Sequence, residues 1–193
     1  MGKSTGLYIQ IDIPATQAER DTFATKGYIQ KTIQHEFLHA LGFSITQFQK
    51  KPGLVDLLPT VDYDGTTDQV WHFISGLPLK YAQSYFNCPS LSALPLMGEN
   101  PLGDGSRGSH WETRIMADDV LTYSNMGIIS DLSLSVYEEL GFYLGNYSAS
   151  GCMQWGAARG CAFVKSRCHD RSVHDFSQNL TATPGMTLAL FSL

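Results

Sequence analysis

Positive charge is scarce in this sequence. Thirteen Lys and Arg stand against eighteen Asp and Glu, charged residues make up only 16% of the chain, and the net charge is -5. There is no basic patch to neutralise a row of phosphates, which argues against nucleic acid as a partner. Long apolar runs are missing too. No window approaches the roughly 20 apolar residues that span a bilayer, and the closing segment 186–193 is too short. The first residues lack the long apolar core of a secretory signal, so export, if it occurs, is not addressed by this chain. Cysteine is sparse: Cys88, Cys152, Cys161 and Cys168 are the four, and no CxxC pair occurs. A cysteine zinc site or a thioredoxin-type redox motif is thereby disfavoured.

What is present suits a folded chain. Hydrophobic residues make up 43% of the 193 and aromatics 11%, enough for a sizeable core in one domain, or in two small lobes sharing a cleft. Residues 7–13, LYIQIDI, alternate as a half-buried strand does, and Pro14 ends the run. Thr16 and Glu19 have capping-box spacing. A helix is expected over 28–41, stopping at Gly42, with Ile29, Ile33, Phe37, Ala40 and Leu41 as its apolar stripe and His35 and His39 one turn apart on the flank. From Phe43 to Gly108, Pro and Gly interrupt the pattern repeatedly, which predicts a largely irregular insertion. A short helix is expected over 131–140, before Gly141. Cys161 and Cys168 are expected to staple the segment after that helix, although four cysteines allow three connectivities. Asn146-Tyr-Ser and Asn179-Leu-Thr are glycosylation sequons, meaningful only on a secretory route.

The chemistry lies in His35-Glu36-Phe37-Leu38-His39, an HExxH motif on a predicted helix. One turn separates the imidazoles, so both can bind one Zn²⁺ while Glu36 on the adjoining face reaches the water that the metal activates. The metal lowers that water's pKa to about 7 and the carboxylate accepts its proton, which is peptide-hydrolysis chemistry. Gly42 stands where the metzincin pattern HExxHxxGxxH turns the chain out of its helix, but position 45, where the third histidine would follow, is Ile45. A catalytic zinc site takes three protein ligands, so the third comes from farther along: His72, His110, His169, His174 or a carboxylate of the insertion. Of these, His72, between Trp71 and Phe73, reads as a packed or surface histidine. Asp62-x-Asp64-Gly65 reads as a simple turn, since Phe73 falls where a calcium loop needs its glutamate. Residues 103–108 read as a flexible approach to His110, and Trp111 as packing.

With HEFLHALGFS (35–44), YFNCP (85–89), GSHWETR (108–114) and ELGFYLGNYSASGCMQWGAARGCAFVKSRC (139–168), the sequence resembles the leishmanolysin-like family of zinc metallopeptidases, peptidase M8. These are metzincins whose third histidine is delayed by a long insertion. The resemblance implies His35, His39 and His110 as ligands of one zinc per chain and Glu36 as general base. It implies peptide or protein substrates, an extracellular or cell-surface location, and membrane-surface association. There are departures. The family's methionine-turn position falls on Leu121, with Met116 too early. Only the strand at 7–13 represents the upper sheet, no cysteine precedes His35, and 170–193 lacks likeness to the family's cysteine-rich region.

The expectation is an α+β, metzincin-like zinc protease domain with a truncated upper sheet, a long loop-rich insertion and a short C-terminal extension. Residues 1–42 would be an upper-subdomain remnant with the active-site helix, and 43–109 the insertion. Residues 110–145 would form the lower subdomain with the third ligand, and 146–193 a partial cysteine-containing region. The expected function is zinc-dependent endopeptidase. The alternative is a truncated, non-catalytic relative that serves as a zinc-binding, adhesion or interaction module.

Overall fold

Helix α1 runs Tyr28–Leu41, the range the spacing predicts. Gly42 ends it with φ at 125°. The Gly42 N–H donates to the His39 carbonyl at 3.0 Å and the Phe43 N–H to the Leu38 carbonyl at 3.3 Å, closing the terminus as a Schellman motif. The face turned inward differs from the expected stripe. Leu38 is buried and His35 and His39 are half-buried, whereas Ile33 and Phe37 are 40% and 51% exposed. Positions 35, 38, 39 and 42 share one side of a 3.6-residue helix, and two imidazoles bonded to main-chain carbonyls draw that side in. The chain is seen here in a computed structural model that describes Thr16 and residues 28–61, 67–98, 107–123 and 127–166. The strand expected at 7–13, the pairing of Thr16 with Glu19, the turn at 62–65 and the sequon at 179–181 lie outside those residues.

The segment 43–108 is more ordered than its breakers suggest. After the one-turn helix α2 (Ile45–Phe48), strands β1 (Val55–Val61) and β2 (Thr67–Phe73) pair antiparallel, Val55 opposite Phe73 and Val61 opposite Thr67. The short β3 (Leu94–Pro95) adds to the other side of β2, giving the order β1-β2-β3. As an edge strand, β1 tolerates Pro59. Helix α3 (Gly76–Tyr85) follows β2, and its Pro78 lies in the first turn, where a missing N–H costs nothing. The hairpin escaped the periodicity reading because only one end of β2 is buried, at Val70, His72 and Phe73.

Helix α4 (Thr113–Met116), helix α5 (Asp131–Glu139), a 3₁₀ turn at Tyr147–Ala149 and helix α6 (Gly160–Lys165) complete the described α+β fold. Ser130, rather than Asp131, caps α5: its Oγ accepts the Ser133 N–H at 3.1 Å, and Asp131 sits in the first turn, where a negative charge suits the helix dipole. Helix α3 packs on α5, and Glu139 joins them by accepting the Leu77 N–H and pairing with Lys51. Among the described residues no helix is long and apolar enough to cross a membrane.

The core is aromatic. Phe43 meets Phe48 and Trp111 edge-on, each at 5.1 Å between ring centroids, and Phe73 closes the set against Phe48 at 5.0 Å and Trp111 at 5.5 Å. All four rings are fully buried, and such pairs contribute about 0.5–1.5 kcal/mol each beyond their burial. Trp111 is packing, as expected, and its indole N–H is satisfied by Ser133 Oγ at 2.8 Å. The cysteines pair otherwise than expected: Cys161 joins Cys88, not Cys168, with Cα atoms 4.8 Å apart, and Cys152 is free. The pairing follows from how the tail docks. The Ala158 and Gly160 N–H groups donate to the Tyr85 and Phe86 carbonyls at 2.8 and 2.7 Å, which brings Cys161 to the loop after α3; Cys168 lies outside the described residues.

Candidate metal centre

Three imidazoles converge where α1 meets the segment that follows β3. His35 and His39 come from successive turns of α1, and His110 from a bend held at several points. The His110 carbonyl accepts the Met97 N–H at 2.9 Å, the Gly108 N–H donates to the Met97 carbonyl at 2.9 Å, and the Trp111 N–H donates to the Leu121 carbonyl at 2.9 Å. Ser109 Oγ accepts the Ile45 N–H at 3.3 Å, tying this stretch to the turn leaving α1. Gly108 matters here. Its φ is 73° and an added Cβ would lie 2.8 Å from the Trp71 ring, so a larger residue would push the bend that carries His110 away from β2.

The Nε2 atoms form a triangle: His35 to His39 is 3.0 Å, His35 to His110 3.0 Å, and His39 to His110 3.1 Å. Behind them, His35 Nδ1 lies 2.6 Å from the Val120 carbonyl oxygen and His39 Nδ1 2.8 Å from that of Phe43. A carbonyl only accepts, so each Nδ1 carries the proton, and the neutral ring is left with a bare lone pair on Nε2. Lone pairs facing each other at 3.0 Å repel unless a cation lies among them. Tetrahedral zinc at the usual 2.0–2.1 Å would hold its nitrogen ligands about 3.3 Å apart, so the donor set fits in number, chemistry and spacing.

Electrostatics points the same way. Burial holds the His39 pKa below the ordinary histidine value, helped by the neighbouring His35 and opposed by the Phe43 carbonyl and the Glu36 charge. An imidazole kept neutral is ready to bind a metal ion. Glu36 is exposed on the same helix, between the two histidines. His110 is buried at the centre, with the exposed Tyr123 ring 4.8 Å from its own.

The other sequence candidates stand apart. His72 is buried in β2, its Nδ1–H bonded to the Val70 carbonyl at 2.8 Å, and burial holds its pKa low; it is not among the converging residues. His169 and His174 lie outside the described residues. Leu121 and Met116 are both fully buried, and Leu121 directly follows Val120, whose carbonyl meets His35. The residues that orient the imidazoles, Val120 and Phe43, were missed by sequence reasoning. They act through main-chain carbonyls, which every residue has, so residue type carries no signal of them.

The sequence profile described as leishmanolysin, peptidase M8, matches residues 6–189. A leishmanolysin homolog of Crithidia fasciculata is 32% identical over 145 residues, 75% of this chain and 21% of that protein. Leishmanolysin of Leishmania chagasi is 29% identical over 146 residues, 75% of this chain and 24% of its own length. A leishmanolysin-like peptidase of Drosophila melanogaster is 27% identical over 201 aligned positions, 81% of this chain and 29% of its own length. The chain therefore spans a fifth to under a third of the length of these relatives.

Proposed function

Because the chain belongs to the leishmanolysin family, we propose that it carries the zinc site and general base of a metalloendopeptidase acting on peptide or protein substrates. The observation that carries this reading is the triangle of Nε2 atoms of His35, His39 and His110, each 3.0–3.1 Å from the other two. These three residues would hold one zinc per chain. When bound, the metal would polarise the scissile carbonyl and lower the pKa of the attacking water.

The chain's own residues supply the rest. Val120 and Phe43 fix the tautomers of His35 and His39 through their carbonyls, so that both Nε2 atoms point inward unprotonated. Glu36 takes the proton from the attacking water and delivers it to the leaving amine. Its exposed place on α1 leaves it open to that water, and the inward-turned flank of the helix keeps the histidines behind it. In the domain assignment we favour, residues 43–109 are an insertion between the helix and the third ligand, here built around the β1–β2 hairpin and α3. The Cys88–Cys161 disulfide supports an oxidising, extracellular or cell-surface setting.

The test joins metal analysis to cleavage of an unfolded protein such as casein. Glu36→Gln should keep zinc near one per chain and lose hydrolysis, because an amide of almost the same shape cannot take the proton. Cleavage retained by that variant would remove Glu36 from its role. A parent chain that holds zinc and cleaves nothing would favour the interaction-module alternative.

A further inference from the structure

One buried carboxylate close to the histidines has no part in the mechanism above. Asp119 is fully buried, yet among the described residues no Lys or Arg side chain is bonded to it, and there it takes four hydrogen bonds. Oδ1 accepts the Leu121 N–H at 2.7 Å. Oδ2 accepts the Ser133 hydroxyl at 2.8 Å, the Ser130 hydroxyl, and the Ser130 N–H at 3.4 Å. The direction of the hydroxyls is determined. Ser133 Oγ already accepts the Trp111 indole N–H, and Ser130 Oγ the Ser133 N–H, so each has its own hydrogen to give to Asp119. Burial pushes the pKa of this carboxyl up, and these donors pull it part of the way back.

The bond at Oδ1 leads to the metal centre. The N–H of Leu121 and the carbonyl of Val120 belong to one peptide unit, and that carbonyl receives the Nδ1–H of His35 at 2.6 Å. Asp119, one peptide and His35 thus form a single hydrogen-bonded chain. A carboxylate accepting a peptide N–H polarises the group and strengthens its carbonyl as an acceptor. A stronger acceptor at Nδ1 orients a histidine ligand and makes its other nitrogen more basic. The same short loop also reaches the segment that carries the third histidine, since the Leu121 carbonyl accepts the Trp111 N–H at 2.9 Å.

We infer that Asp119 is a positioning residue of the metal centre, acting on His35 through the Val120–Leu121 peptide. It touches neither metal nor substrate. The inference rests on the zinc reading above, and it explains why a carboxylate is kept in an apolar core where a serine or threonine would cost less to bury.

The experiment measures zinc affinity by competition with a chromophoric chelator, and the visible spectrum of the Co²⁺-substituted protein as a report on ligand geometry. Asp119→Asn keeps the volume and removes the charge. It should weaken zinc by about tenfold or more with the stoichiometry kept near one, and shift the cobalt bands. Ser130→Ala is the control: it takes a donor from Oδ2 and the cap from α5, lowering stability, but leaves the Oδ1 bond to Leu121 in place. Its zinc affinity should stay within about twofold of the parent. Equal weakening in both variants, or none in Asp119→Asn, would overturn the inference. The parent chain decides independently of how any variant folds. In the zinc-free protein, ¹⁵N imidazole shifts should show His35 protonated on Nδ1, and protonation on Nε2 would overturn the link to Asp119. A parent chain that fails to bind zinc sinks the zinc reading instead, and leaves the tautomer measurement to judge Asp119 alone.

Discussion

His72 and His110 are equally hidden, each 7% exposed, and opposite in surroundings. The first lies in a strand with the carbonyl of Val70, two residues back, as partner; the second meets two other imidazoles, with all three Nε2 atoms close. His110→Ala should therefore remove most of the zinc measured after dialysis, and His72→Ala should leave it near one per chain. Equal losses would remove His110 from the ligand set. Leu121 is the second residue at which the argument can be tested. It is fully buried, and Leu and Met have similar volume, so exchange between them usually costs less than about 1.5 kcal/mol. Leu121→Met should accordingly change zinc affinity by no more than about tenfold in a chelator competition. Zinc held tightly by that variant and not by the parent would mean that leucine disables the site. How legible these residues are depends on where their information lies. His35, Glu36 and His39 can be read directly, because one helical turn brings them together. His110 could be picked out of four histidines and the insertion's carboxylates only through the GSHWETR block, because the folding that carries it to α1 is long-range. Val120, Phe43 and Asp119 were not legible at all: the first two act through the backbone, and an acidic residue in a loop normally faces water.

At the scale of elements, helix α1 was legible to the residue at both ends, because it has an unbroken period and a glycine at its close. What it buries was not. The spacing alone favours Ile33 and Phe37, and the inward face is set by the carbonyls that receive His35 and His39. The hairpin and α3 were hidden by Pro59, Pro78 and a β2 buried at one end only, while the disulfide followed from docking of the tail on α3. The end of α1 is the element most closely tied to the site, because the Phe43 carbonyl that fixes His39 comes directly after Gly42. An alanine there would be held at a φ of 125°, and its Cβ would lie 3.1 Å from the Phe142 ring. Strain of that kind costs on the order of 1–3 kcal/mol. Gly42→Ala should lower stability by about that much in urea unfolding and also weaken zinc, since relief of the strain moves the carbonyl behind His39. An unchanged unfolding midpoint would show that the terminus can relax without involving the site.

For the whole molecule, zinc held by these three imidazoles would be a ligand of the folded state, because His110 is far from His35 and His39 in an unfolded chain and the triangle exists only after folding. Binding that favours the fold stabilises it by RT ln(1 + [zinc]/Kd), about 2.7 kcal/mol when zinc exceeds Kd a hundredfold. In a chain of this size each kcal/mol moves the thermal midpoint by about 2–4 °C, so the midpoint should rise by roughly 5–11 °C over a sample in EDTA. The pH dependence has a definite sign. Burial lowers the His39 pKa below its unfolded value of about 6.5, so its neutral form is the one the fold favours. The stability tied to that neutral form is fully present above about pH 6.5 and is lost as pH falls through the lowered folded value. Zinc requires the same neutral imidazole, so its contribution fails in the same direction. His72, also lowered by burial, weakens the fold at low pH with or without zinc and cancels from the difference between the two samples. The zinc-induced rise in midpoint should therefore be full at pH 7.5 and clearly smaller at pH 5. No difference between zinc and EDTA at pH 7.5 would mean that the three imidazoles, although assembled, do not hold the metal.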